Sequence, residues 1–208
     1  MKKVAKKRGR PVSLDFKSQD WATYGVLKIS DFKKAGISTS SLYRLVKTGE
    51  VEKLDTGYYI HKNSELLGVE REFALACAKF GRQSVIGGLT ALFYYSLIEQ
   101  IPSQVWVLVP SSNKKKHSRY HCVHTKVSSK VGVVVKGAYR IVTIERALVE
   151  ALRLSSKIGL DTAYAAIGTA LIERTTTIEK VHAEAKSLKL EKYFNQHWEA
   201  IVAMSKNQ

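Results

Sequence analysis

The sequence predicts an α+β protein: a small module of short helices and a hairpin, then a mixed α/β domain with a small sheet and a helical C-terminal part. Before residue 48 apolar residues recur at helical spacing, and two strand-like pieces follow around a turn. An uninterrupted apolar run at 105–109 has the character of a buried strand. Beyond residue 143 we expect helices over about 143–154, 160–173, 177–188 and 191–204.

The charge balance points to a polyanionic partner. The 208 residues include 34 lysines and arginines against 18 aspartates and glutamates, a formal net charge of +16. Such a surplus is typical of proteins that bind nucleic acid or an anionic membrane. No apolar run reaches the roughly 18 residues that span a bilayer, and the basic N-terminus lacks the apolar segment of a secretory signal. We therefore expect a cytoplasmic protein without a membrane partner, with Cys77 and Cys122 as free thiols.

The module expected over residues 15–64 begins with two short helices. The spacing of Phe16, Trp21 and Tyr24 fits an amphipathic helix over about 15–24. Ser30 is expected to cap the next helix, which runs to residue 35, because its hydroxyl can accept hydrogen bonds from amides of the first turn.

A third helix and a hairpin complete this module. Ser38 is expected to cap a helix over 38–47, in which Leu42, Leu45 and Val46 form an inward apolar stripe. Strand-like pieces at 51–54 and 58–60 then flank the turn Asp55-Thr56-Gly57. This order of elements is that of a winged helix-turn-helix.

In a winged helix-turn-helix the second helix of the motif enters the major groove of DNA, and the hairpin, called the wing, lies near the flanking backbone. Arg44 can make a two-pronged hydrogen bond to guanine, and Lys47 suits phosphate. The predicted DNA-binding residues of the module are Ser38, Thr39, Ser40, Tyr43, Arg44, Lys47, Lys53, Thr56 and Lys62. The alternative interpretation is a small α+β subdomain with a solvated polar face.

A basic flexible arm is expected over residues 1–14. Its Arg-Gly-Arg-Pro core resembles an AT-hook, a segment that lies extended in a narrow minor groove. Lys7, Arg8 and Arg10 are therefore candidate DNA contacts, because A·T-rich minor grooves concentrate negative potential. The alternative is a solubilising tail.

The C-terminal domain is expected over residues 65–208. Ser64 is a plausible cap for a helix through Phe80, with Leu67 in its apolar stripe, and a second helix is expected over 89–97. Strands are predicted at 105–109, 120–126, 131–136 and 140–142.

This domain also contains a stretch of one charge sign. Between Glu99 and Glu145 there is no acidic residue, while the basic residues are Lys114, Lys115, Lys116, Arg119, Lys126, Lys130, Lys136 and Arg140. One hypothesis is a second polyanion surface that engages DNA, or RNA held by a partner. The other is a solvated, flexible loop.

Catalytic and metal-binding functions find little support in the sequence. His117, His121, Cys122 and His124 are close together but lack the paired spacing of zinc modules, and adjacent residues of a strand point to opposite faces. There is no phosphate-loop signature or nucleophile elbow, and the acidic residues of 145–199 have the spacing of solvated helix faces. We expect no catalytic residue, no metal and no cofactor.

Several motifs of the chain resemble those of AbiEi-type antitoxins, the regulators of type IV toxin–antitoxin systems. In the N-terminal module they are Ser30-Asp31-Phe32, Ala35-Gly36-Ile37-Ser38, Leu42-Tyr43-Arg44-Leu45-Val46, Gly49-Glu50-Val51 and Asp55-Thr56-Gly57-Tyr58-Tyr59. Later similar segments are 85–92, 100–110, 143–148 and 159–163. The resemblance covers roughly residues 20–175, and the AT-hook-like arm is not part of it.

This resemblance implies a protein of two functions. Its winged domain would repress its own promoter, and its C-terminal domain would counteract a nucleotidyltransferase-type toxin in phage defence. Two other functions remain open: a DNA-processing enzyme with a nuclease-like C-terminal domain, and a DNA-binding mobile-element or architectural factor without a toxin partner. A dimer on DNA is also left open.

Overall fold

The structure, a computed structural model, describes residues 25–206. The basic arm with Lys7, Arg8 and Arg10, and the helix expected over 15–24, lie outside the described residues. Across the described part the fold is α+β, as predicted, with two separate sheets.

The first sheet and two helices form the N-terminal module. Its elements are β1 (Val26–Lys28), α1 (Ile29–Lys34), α2 (Thr39–Lys47), β2 (Val51–Asp55) and β3 (Tyr58–His61). The three strands are antiparallel, in the order β1-β3-β2. A small apolar core lies beneath the helices and consists of Leu27, Phe32, Ile37, Leu42 and Val51.

The second sheet has five strands with helices packed against it. Its elements are α3 (Val69–Phe80), β4 (Val85–Ile86), α4 (Gly88–Tyr94), β5 (Val105–Pro110), β6 (Tyr120–Thr125), β7 (Val133–Lys136) and β8 (Tyr139–Val142). The strand order is β6-β5-β4-β8-β7, in which β5 and β6 are parallel, as are β4 and β8, and the other neighbours are antiparallel. Helix α3 packs on both sheets, since it contacts β1 as well as β5 and β8.

Helices make up the rest of the described chain. They are α5 (Ile144–Arg153), α6 (Ser155–Ile158), α7 (Leu160–Ile172), α8 (Ile178–Ser187), α9 (Glu191–Asn195) and α10 (Trp198–Lys206). Helix α5 packs against α4, α7, α8 and α9, so it is the centre of this helical layer. None of the helices among the described residues is long and apolar enough to cross a membrane.

Two predicted helix starts are wrong, for related reasons. At α1 the capping group is the Asp31 carboxylate, which accepts a hydrogen bond from the Lys28 amide at 2.9 Å, rather than the Ser30 hydroxyl. At α3 the hydroxyl of Ser64 accepts from the amide of Leu66 at 3.3 Å, and the helix begins only at Val69. A residue of capping type can close a local turn as easily as it can start a helix.

Other predicted bounds also change. Leu67 is 70% exposed because it precedes α3, so it does not join the apolar stripe. The helix expected over 89–97 ends at Tyr94, and the helix expected over 191–204 is interrupted between α9 and α10. The two-residue strand β4 was not predicted, because so short an apolar pair carries no periodicity. The boundary proposed at residue 64 stays a prediction.

The expectation that the acidic residues of 145–199 are solvated is wrong for some of them. Glu150 of α5 is 0% exposed and hydrogen bonds to the Nε of Arg153 at 2.6 Å. The guanidinium of Arg146, itself 1% exposed, lies beside the same carboxylate at 3.5 Å. Glu184 of α8 is half-buried, and this burial raises the pKa of its carboxyl. A charged cluster therefore lies inside the helical layer.

We predict opposite stability effects for two glycine-to-alanine changes. At Gly132, where φ is +59°, a Cβ would lie 2.0 Å from Glu184 Oε1 and 2.9 Å from Arg146 Cβ, so Gly132→Ala should destabilise the fold by about 2–4 kcal/mol. At Gly168, inside α7, a Cβ would meet nothing within 4 Å, so Gly168→Ala should stabilise by about 0.5–1 kcal/mol. Urea unfolding of both variants measures these changes, and equal effects would contradict the packing described for Gly132.

Candidate nucleic-acid interface

Helix α2 presents a polar flank to solvent. Leu42 is buried, and Leu45 and Val46 are half-buried, which confirms the predicted inward stripe. The predicted DNA-contacting residues of the helix are all exposed: Ser38, Thr39, Ser40, Tyr43, Arg44 and Lys47. Tyr43 is the most prominent large side chain of this flank, with 72% of its surface exposed. The flank is therefore free to approach a duplex.

Ser38 performs the capping role that the sequence predicted. Its Oγ accepts a hydrogen bond from the amide of Ser41 at 3.1 Å and also lies 2.9 Å from the Oγ of Ser40. Because this hydroxyl is occupied at the start of the helix, Ser38 fixes where α2 begins. Thr39, Tyr43, Arg44 and Lys47 are the side chains of the flank best placed to reach outward.

A tight turn sets the angle between α1 and α2. The amide of Ile37 donates to the carbonyl of Phe32 at 2.9 Å, and the amide of Gly36 donates to the carbonyl of Lys33 at 3.0 Å. Gly36 has φ +76°, the left-handed conformation that ends many helices. Ile37 is buried directly after the turn, so the apolar core holds both helices in place.

The hairpin β2–β3 lies where the sequence predicts the wing, and we call it the wing. Strand pairing places Thr56 at the hairpin tip, Lys53 opposite Tyr59 in the middle, and Lys62 beyond the end of β3. All three are exposed, as a role in DNA contact requires. At about 3.3 Å per residue, Thr56 and Lys62 lie at opposite ends of the hairpin. A single phosphate cannot touch both, so they would contact different parts of a DNA backbone.

The wing tip is attached to the second sheet's domain by ion pairs. Asp55 Oδ2 lies 2.7 Å from Lys79 Nζ and 4.0 Å from Arg119 Nη1. Arg119 in turn pairs with Glu72 of α3 at 2.5 Å. These contacts fix the position of the tip beside the C-terminal half of α3.

We call the ion-paired side chains of Asp55, Glu72, Lys79 and Arg119 the junction. Lys79 makes further contacts outside it. Its Nζ also lies 3.1 Å from His117 Nε2 and 5.0 Å from the centre of the Tyr58 ring. The side chain is only 11% exposed, so its charge is held in place by the groups around it. Lys79 thereby contacts both the wing and the loop that carries His117.

The loop between β5 and β6, residues 111–119, carries three consecutive lysines. It is anchored by the side-chain amide of Asn113, which donates to the Phe80 carbonyl at 2.8 Å, and by Lys115 Nζ, which lies 3.3 Å from the Lys79 carbonyl. Lys114 and Lys116 are exposed, and their side chains have no hydrogen-bond or ion-pair partner among residues 25–206. We call residues 111–119 the basic loop.

The predicted basic patch divides into two groups in the structure. Arg119 and Arg140 have internal partners: Arg119 pairs with Glu72, and Arg140 donates to the carbonyls of Arg82 and Ser129. Arg119 is nonetheless 48% exposed. The other members are all exposed, and only Lys115 among them has a partner for its side chain within residues 25–206; they are Lys114, Lys115, Lys116, Lys126, Lys130 and Lys136. Because Pro110 pairs with Thr125, Lys126 lies at the same end of the sheet as the start of the basic loop.

The histidines and cysteine near β6 do not converge on one point. His121 stacks on Trp106 with ring centres 3.8 Å apart, and burial lowers its pKa. Cys122 and His124 lie on the other face of the strand from His121, together with His117. Burial raises the pKa of the Cys122 thiol. Within the described part of the chain, no group of three His, Cys, Asp or Glu side chains could hold a metal.

We predict that the junction can be detected by titration of Asp55. The hydrogen bonds from Lys79 and from the Thr56 amide hold the pKa of its carboxyl below the ordinary value of 3.8. The ionised Asp55 carboxylate therefore stabilises the fold above pH 3.8. This stabilisation is lost as the pH falls through the lower pKa that the carboxyl has in the folded protein. Lys79→Met should raise the Asp55 pKa, as measured by carbon NMR of the carboxyl. Lys53→Met removes an exposed charge from the same hairpin and is the matched control; equal shifts in both variants would contradict the junction.

Known proteins resemble this chain in sequence over the module and in fold over most of its length. A family model described as transcriptional regulator, AbiEi antitoxin, matches residues 20–60. No curated protein sequence matches the chain. Among solved structures, the RV2827C protein from Mycobacterium tuberculosis has a TM-score of 0.54 at 12% identity, over 89% of this chain and 82% of that one. That likeness concerns the fold alone. Residues 20–60 are thus similar to the AbiEi antitoxin family of transcriptional regulators, which confirms over that stretch the resemblance found in the sequence.

Proposed function

We propose that this protein is a transcriptional repressor that binds its own promoter with α2 in the major groove. The observation that carries the proposal is the exposed polar flank of α2, which follows α1 after a tight turn, within residues that match a family of transcriptional regulators. A helix held in this way can present its first turns to base edges while the preceding helix contacts the backbone.

Within this proposal the side chains of α2 have distinct roles. Arg44 reads a guanine through paired hydrogen bonds, and Lys47, one turn later, contacts phosphate. Thr39 and Tyr43 add hydrogen bonds from their hydroxyls to bases or backbone. Lys53 and Thr56 of the wing contact the flanking backbone.

The basic loop extends this surface beyond the wing. Lys79 joins the two, because it contacts Asp55 at the wing tip and His117 in the loop. Phosphate contacts by Lys114 and Lys116 would add affinity without sequence preference. The ordered anchors of the loop favour this function over that of a freely solvated segment.

The second part of the proposal is an antitoxin function for the C-terminal domain. It is supported by the match of the N-terminal module to AbiEi antitoxins, and it means that the protein acts by binding rather than by catalysis. The partner would be a nucleotidyltransferase-type toxin encoded in a neighbouring reading frame. A metal-dependent cleavage assay distinguishes this function from a DNA-processing enzyme, and the absence of a neighbouring toxin gene would favour an architectural factor.

We predict that Arg44→Ala weakens binding to the protein's own upstream DNA by about 1–3 kcal/mol. The reason is the loss of a paired hydrogen bond to a base, while the fold is retained because Arg44 is exposed. Binding is measured on the upstream fragment and on a random duplex at several salt concentrations. Arg174→Ala, which removes an exposed arginine at the end of α7, is the matched control. Equal losses on both DNAs would make Arg44 a backbone contact, and no loss on either would contradict its role in DNA binding.

We also predict that replacing Lys114, Lys115 and Lys116 by alanine lowers the salt dependence of DNA binding. Each lost phosphate contact reduces the slope of log affinity against log salt by about 1. Because Lys115 also contacts the Lys79 carbonyl, a total reduction of about 2–3 is expected. The control replaces Lys157, Lys180 and Lys189, three exposed lysines of the helical layer, and changes the net charge equally. If both triple variants have the same slope, the basic loop does not touch phosphate.

A further inference from the structure

A cleft of about 650 Å³ lies between the N-terminal module and the second sheet's domain. Three parts of the chain form its walls: β1 with α1, the end of α3 with the turn that follows it, and the hairpin β7–β8. Its volume is within the range of sites that bind small molecules. The cleft is separate from the exposed flank of α2 and from the basic loop, because it contains no residue of either.

The charge that lines this cleft is almost entirely positive. Among the described residues that line it, the cations are Lys28, Lys34, Arg82 and Arg140, and the one acidic residue is Asp31. The Asp31 carboxylate already accepts hydrogen bonds from the Lys28 amide at 2.9 Å and from Ser30 Oγ at 3.4 Å, as the cap of α1. None of the four cations forms an ion pair with any residue in the range 25–206. Their charges are therefore not balanced within the described chain.

Arg140 has a fixed position in the wall of the cleft. Its Nη1 donates to the Arg82 carbonyl at 2.6 Å, and its Nη2 donates to the Ser129 carbonyl. Neutral carbonyl oxygens do not balance the charge of this guanidinium, whereas the charge of Arg119 is balanced by the carboxylate of Glu72. Preorganised positive charge of this kind favours anions that accept several hydrogen bonds.

Most of the other residues that line the cleft have small side chains, so a ligand can come close to the backbone. Ala74, Ala78, Gly81, Gly137 and Ala138 contribute little side-chain bulk. A Cβ built on Gly81 or Gly137 would meet no atom within 4 Å, so the backbone there borders open space. Cys77 also lines the cleft, but its sulfur contacts the carbonyls of Ser84 and Arg140 at 4.0 Å. The cleft has groups that bind an anion, and its lining points to no covalent chemistry.

We propose that this cleft binds a phosphate ester. Two sources share this chemistry: a free nucleotide, and the phosphodiester backbone of bound DNA. The second source rests on the proposed DNA-binding function, because α1 borders both the cleft and the turn that leads to α2. In both cases Lys34 and Arg82 neutralise the phosphate at the rim of the cleft, and Arg140 provides the fixed charge at its wall.

The test uses the full chain and two variants of the cleft. Lys34→Ala with Arg82→Ala removes two exposed cations, and Ser30→Glu adds a negative charge on the first turn of α1, where an acidic residue suits the helix. The matched control is Lys157→Ala with Lys180→Ala in the helical layer. Calorimetry with ATP and with inorganic pyrophosphate measures free ligands without DNA, and a salt-titrated random duplex measures backbone contacts.

Two results would support the proposal, and each identifies a source. If ATP or pyrophosphate binds, both cleft variants should weaken it about tenfold or more, and the control should change it less than about twofold. If neither binds, the double cleft variant should still reduce the salt slope for the duplex by about 2 relative to the control. Unchanged values in both measurements would overturn the proposal. The nucleotide measurement is independent of α2, so its result stands even if Arg44→Ala shows no effect on promoter binding.

Discussion

The contact between Asp55 and Lys79 holds the wing tip against the rest of the protein. Helix α3 packs on both sheets, and Lys79 near its C-terminal end reaches the wing tip at 2.7 Å and His117 at 3.1 Å. A second ion pair, between Glu52 of β2 and Arg71 of α3 at 3.1 Å, holds the same hairpin further from its tip. Here the wing and the basic loop both contact Lys79, whose side chain is 11% exposed, so in the proposed function they would approach a duplex as a single surface. The contact contributes more to this geometry than to stability, as is usual for partly exposed ion pairs.

A buried charge, the guanidinium of Arg146, holds the connection between β6 and β7 in place. The Arg146 guanidinium donates to the carbonyls of Ser128 and Val131 in the connection between β6 and β7, and lies beside Glu150. Burial lowers the pKa of Arg146, while the neighbouring Glu150 carboxylate opposes that shift. Taking a charge out of water costs several kcal/mol unless hydrogen bonds and an opposite charge compensate. The compensation here comes from the backbone of a loop, so the position of Lys130 depends on a side chain in α5.

The sequence was sufficient where structure is local, and insufficient where it depends on distant partners. The stripe of α2 and its Ser38 cap follow from residues within one helix, and both are as predicted. The burial of Glu150 was not predictable from spacing within α5, because it results from the packing of α4, α7, α8 and α9 around that helix. In the candidate interface, the exposed flank of α2 could be predicted, but the role of Arg119 could not. Arg119 and Glu72 are 47 positions apart, and nothing local in the sequence indicates that they meet.

Net positive charge is distributed unevenly along the chain. Residues 100–144 contain eight basic residues and no acidic one, whereas residues 145–208 contain nine basic and eight acidic residues. A polyanion is attracted to the first region and has little net attraction to the second. If DNA lies along α2, the wing and the basic loop, it need not contact the helical layer around α5. That layer is then available to a protein partner while DNA is bound, so repression and antagonism of a toxin would not have to compete for the same surface.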